Sequence, residues 1–141
     1  MIQRMSHATI FVTNQNDALE FYRDKLGFRV HTDAMVGPDF RWLTMCTNDQ
    51  PDFEIILMEP KPGMLMDEET SKTVRSLLDK GVMGAGVFNT NDCRGTYEEM
   101  KAKGVQFVSA PVAFGHDDPV RVVFFKDPDG FILELVEVRS K

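Results

Sequence analysis

The chain has 141 residues, 43% hydrophobic and 27% charged, enough for one globular domain with a real core. Its net charge of −6 argues against nucleic acid as a partner, because phosphate binding needs a basic face. No apolar run approaches the roughly 20 residues of a membrane-spanning helix, the opening MIQRMSHATIFV lacks a signal-peptide pattern, and Cys46 and Cys93 read as free thiols in a reducing cytoplasm.

In chain order, SHATIFVT (6–13) reads as a strand and DALEFYRDKLG (17–27) as a helix. Asp17 and Glu20 stand at capping-box spacing, and Gly27 suits the helix stop. FRVHTDA, FRWLTMC and FEIILME follow as three strands, separated by GPD and NDQPD turns. After the breakers Pro60, Pro62 and Gly63, an apolar stripe of Thr70, Val74, Leu77 and Leu78 predicts a linking helix over about 67–80.

The order then repeats. MGAGVFNT (83–90) is strand-like, DCRGTYEEMKAKG (92–104) helical, and VQFVSAPV, VRVVFFK and GFILELVEV are strands. Gly27 and Gly104 are 77 residues apart, and Phe53 and Phe131 are 78 apart. Two β-α-β-β-β modules at a nearly constant offset make an internal repeat. On the last strand, Ile132, Glu134 and Val136 share a face because side chains alternate. A carboxylate in that apolar row needs solvent, a cation or a polar pocket; a pocket is the favoured reading, and a sheet-edge position or a salt bridge to Arg41 or Arg121 are the plainer alternatives.

The repeat, the opening HATIFVTNQNDALEFYRDKLGF and the closing FFKDPDGFILELVE resemble the vicinal oxygen chelate superfamily, the glyoxalase/bleomycin resistance protein/dioxygenase family. The resemblance implies an α+β fold in which two β-α-β-β-β modules form a cupped sheet. It covers one domain over 1–141, with module one about 1–62, the linking helix about 67–80 and module two about 83–141. It also implies a homodimer. In metal-using members, two strand positions in each module supply ligands, and a substrate chelates through vicinal oxygens.

Carried over residue by residue, the first-strand position of module one is His7 and the last-strand position of module two is Glu134. The 78-residue offset places the last-strand position of module one on Ile56, with Glu54 two residues earlier on the same face. The first-strand position of module two falls on Gly84 or Ala85, neither of which has a ligand atom. The implied metal set is therefore His7, Glu134 and Glu54, for Zn²⁺, Ni²⁺, Fe²⁺ or Mn²⁺ or for no metal at all. Glu134 is the candidate catalytic carboxylate. Phe40, Trp42, Phe124, Arg121 and the loop residue His116 are candidates for contacting a substrate.

Two function classes stay open. One is a glyoxalase-type lyase or isomerase, in which a divalent metal polarises vicinal oxygens and Glu134 or water moves a proton. The other is a metal-free small-molecule binding protein of the bleomycin-resistance kind, with His7 and Glu134 as polar anchors in an apolar cavity. A dioxygenase is the weaker third, since its iron triad is incomplete.

Overall fold

The computed structural model describes residues 1–63, 65–83, 86–113 and 120–138. The chain divides into two compact units, Met1–Lys80 and Gly81–Lys141. The linking helix thus belongs to the first unit.

Unit one opens with β1 (His7–Phe11) and helix α1 (Gln15–Glu20), which continues into a wider π-type turn over Phe21–Lys25. Three strands follow: β2 (Arg29–Val36), β3 (Phe40–Thr47) and β4 (Gln50–Met58). They form one mixed sheet in the order β1-β4-β3-β2. The N-cap of α1 is Asn14, whose side chain accepts from Asp17 N at 2.9 Å. The helix therefore starts one turn earlier than the Asp17–Glu20 spacing suggested, and Asp17 serves its first turn. Gly27 ends the element at φ +79°, a conformation that costs a glycine little.

One sheet face packs on this helix. Leu43, Met45, Leu57 and Val12 meet Ala18, Phe21, Tyr22 and Phe28, all of them buried. Burying each such large side chain contributes about 1.5–3 kcal/mol. Gln15, itself buried, donates to Leu57 O at 2.8 Å and Arg41 O at 3.1 Å, tying α1 to β4 and β3. Helix α2 (Glu68–Asp79), capped by Asp67, is held by buried Leu78 and by Ser71 Oγ donating to Pro60 O at 2.8 Å.

Unit two repeats the plan with β5 (Gly86–Asn89), α3 (Cys93–Ala102), β8 (Val120–Lys126) and β9 (Ile132–Val138). The segment expected as one strand, VQFVSAPV, is instead two short pieces, β6 (Gln106–Phe107) and β7 (Val112–Ala113), both paired with β8. Pro111, just before β7, has no N–H to give a ladder, which is one reason the run does not continue. The sheet order is β5-β9-β8-β6. Its core face, with Phe125, Leu133 and Leu135, packs against Tyr97, Met100 and Cys93 of α3.

The DPDG turn joins β8 to β9. Gly130 N donates to Asp127 O at 3.0 Å, and Gly130 sits at φ +82°. Asp127 Oδ1 accepts from Asp129 N and Phe131 N, each at 2.9 Å. Its Oδ2 is buried without a partner among the described residues, and burial pushes the carboxyl up to about 6. Among the described residues, no helix is long and apolar enough to cross a membrane.

Candidate functional site

The strand ladders show the same pairing in both units. In unit one, β1 and β4 run parallel with His7 opposite Glu54. In unit two, β5 and β9 run parallel with Val87 opposite Glu134. Partners lie 47 residues apart in both ladders, so the two units use the same pairing. The helix caps Asn14 and Asp92 are 78 residues apart and the helix-ending glycines 77. By the 78-residue offset Ile56 stays the counterpart of Glu134, and Glu54, directly opposite His7, lies two residues before it on the same face. Gly84 and Ala85 lie outside the described residues.

Register also sorts the faces. Residues directly opposite in a ladder share a face. His7, Glu54 and Ile56 therefore lie with Thr44, Trp42 and Phe40 on the face turned away from α1. The Trp42 ring is 5.9 Å from His7 and 6.5 Å from Phe40. The expected grouping of His7, Glu54, Phe40 and Trp42 is thus one surface of one sheet. In unit two, Phe124 stands directly opposite Glu134 on the face away from α3. That face is open rather than core: Ile132 is 47% and Val87 61% exposed. Glu134 has no hydrogen-bond or ion-pair partner among the described residues.

Arg121 stands opposite Glu137, on the other face from Glu134. It neither pairs with Glu134 nor shares the face of Phe124. Arg41 also stays away from the site: it makes a two-pronged pair with Asp33, at 2.8 Å for both contacts, and donates to Asn16 Oδ1 at 2.7 Å. That hydrogen-bonded guanidinium holds the Asp33 carboxyl below its ordinary value. His116 lies outside the described residues.

The centre of the unit-one face is the Glu54 carboxylate. Its Oε2 is 2.9 Å from His7 Nε2. Its Oε1 accepts from Thr44 Oγ1 at 2.7 Å and lies 2.9 Å from His31 Nδ1. Thr44 is fully buried. Ser6 Oγ reaches His7 Nδ1 at 2.7 Å, so both nitrogens of that ring are engaged. His31 was not among the residues singled out from the sequence. By strict alternation it points away from Thr32 and Ala34, which share the face of Thr44 and Trp42. A bulge between Val30 and Thr32 breaks that alternation and turns His31 onto the site, since a bulge re-aims a side chain. Thr44 was legible, two residues from Trp42 on the same strand; the bulge was not.

Among the described residues, no three His, Cys, Asp or Glu side chains form a group that could hold a metal ion. A pair does fit half of one. Two ligands bound side by side to one ion at about 2.1 Å sit about 3 Å apart, and His7 Nε2 and Glu54 Oε2 are 2.9 Å apart.

A family model described as Glyoxalase/Bleomycin resistance protein/Dioxygenase superfamily matches residues 4–135. The chain belongs to that superfamily. It is 33% identical to the uncharacterized protein YurT of Bacillus subtilis (strain 168) over 129 residues, covering 92% of this chain and 94% of YurT. Among solved structures, it is similar to UcmS2, with a TM-score of 0.85 and 39% identity over 96% of this chain and 98% of that one. It shares the fold of TnmS3, an antibiotic binding protein from Streptomyces sp. CB03234, with a TM-score of 0.69 and 22% identity over 97% of each chain. The superfamily member thus carries the α+β fold its repeat implied.

Proposed function

We propose that this superfamily member is a small-molecule binding protein that works without a metal. Its ligand lies against the unit-one face of Phe40 and Trp42, with the His7–Glu54–His31 array as the polar anchor. The observation that carries this reading is the state of Glu54: both of its oxygens are taken by protein donors, beside an aromatic wall. Such a surface, apolar with a few placed polar groups, is what ligand sites are made of. The antibiotic-binding neighbour makes the same role chemically reasonable here. A homodimer in the cytoplasm is part of the proposal.

Trp42 is the only tryptophan, so its fluorescence reports on this face. In a screen of aromatic and amphipathic compounds, hits that quench Trp42 are expected to bind equally well with and without a chelator. Binding abolished by chelation and restored by Ni²⁺ or Zn²⁺ overturns the metal-free reading.

A second reading has its own support. His7 and Glu54, with nitrogen and oxygen 2.9 Å apart on one face, have the donor types of a divalent-metal site. A divalent ion held by them would act as a Lewis acid on vicinal oxygens. Calorimetric titration of metal-stripped protein separates the two. Binding tighter than about 1 μM, roughly −8 kcal/mol, that is lost in Glu54→Gln favours the metal-dependent lyase.

A further inference from the structure

Glu54 fixes the protons of both histidines, with different consequences for each. A carboxylate oxygen only accepts, so the nitrogen facing it carries the hydrogen. In the neutral rings, His7 then has its proton on Nε2, toward Glu54 Oε2, and its Nδ1 accepts from the Ser6 hydroxyl at 2.7 Å. His7 is satisfied at both ends. His31 has its proton on Nδ1, shared between Glu54 Oε1 and Thr32 Oγ1, each 2.9 Å away. Its Nε2 is a bare lone pair that no described residue takes. The side chain is 39% exposed, against 14% for Glu54 behind it. A carboxylate behind an imidazole holds the ring in one tautomer and makes the far nitrogen a stronger acceptor.

We infer that His31 Nε2 is the specificity-determining acceptor of this face, and that it selects ligands bearing a hydroxyl on an aromatic ring. The inference rests on the small-molecule binding reading and names its ligand class. The ring belongs against Phe40 and Trp42, which lie on the same sheet face as Thr44, the hydroxyl donor to Glu54. The hydroxyl belongs on His31 because every other polar atom of the array is already engaged: Glu54 by three donors, and His7 by Glu54 and Ser6. Of the possible donors, a phenolic O–H suits a neutral imidazole acceptor beside a hydrophobic surface. A ligand carboxylate does not suit, because it brings no proton to donate and meets the negative Glu54.

The test compares 2-naphthol with 2-methoxynaphthalene, which keeps the ring and caps the hydroxyl, by ligand-observed NMR titration of the full chain. The wild-type protein is expected to bind the naphthol about tenfold tighter, the upper end of the net worth of one hydrogen bond. His31→Phe is expected to abolish that preference while still binding the ether. Thermal unfolding of the variant checks that it is folded, and the wild-type comparison stands without it. Equal binding of both probes by wild type overturns the His31 assignment and leaves the binding reading intact. A preference that survives in folded His31→Phe also overturns the assignment. No binding of either probe overturns the binding reading and the assignment with it.

Discussion

At the scale of single residues, the hydroxyl of Thr44 and the carboxyl of Asp127 lead to separate expectations. Thr44 is fully buried and donates to Glu54. Thr44→Val keeps the shape and removes the donor, and is expected to cost about 1–2 kcal/mol, seen as a lowered denaturation midpoint. Asp127 differs because burial raises its carboxyl from 3.8 to about 6. The folded state holds that proton more tightly than the unfolded chain does. The stability it contributes is therefore full below about pH 4 and lost as pH rises through about 6. Asp127→Asn removes the titration while keeping an oxygen for the Asp129 and Phe131 amides. The variant is expected to exceed wild type in Tm at pH 7.5 and to lose that advantage at pH 5. A gap that does not change with pH would show that Asp127 stays ionised in the folded protein.

At the scale of elements, local signals and pairing made different contributions. The glycine stops, the caps and the apolar stripes are local, so both main helices and α2 were legible. The cap of α1 was displaced by one turn because Asn14 and Asp17 are both good cap residues, and packing of Gln15 onto β3 and β4 favours the earlier start. Asn14→Ala is expected to destabilise by about 1 kcal/mol, a few degrees in Tm, whereas Glu20→Ala, the supposed capping-box partner, is expected to change little. The bulge in β2 is the clearest failure of local reading. Nothing in RVHTDAMV announces that two residues will oppose one on the partner strand. That choice is made where β3 pairs with it, and it decides that His31 meets Glu54.

At the scale of the whole molecule, the repeat carries the functional argument. Both ladders pair residues 47 apart, so each unit repeats one parallel pairing of its first and last strands. If the metal-dependent reading holds, His7→Ala is expected to lower Ni²⁺ affinity at least about tenfold in calorimetry; unchanged affinity counts against that reading. The homodimer is tested by sedimentation equilibrium, where a mass twice 16.0 kDa is expected, along with a Tm that rises with protein concentration. A monomer at every concentration would remove it.

By itself, the sequence determined the duplicated β-α-β-β-β order and the helix limits to within a turn, and it named His7, Glu54, Glu134, Phe40 and Trp42 as candidates, because these follow from short-range periodicity, turn chemistry and matched motifs. Only the tertiary structure decided strand register. A register is a relation between two chain segments far apart in sequence, and a shift of one or two residues changes which side chains meet without changing either segment's pattern. That is why the pairing of His7 with Glu54 came only from the fold, and why His31 came to the site through a bulge.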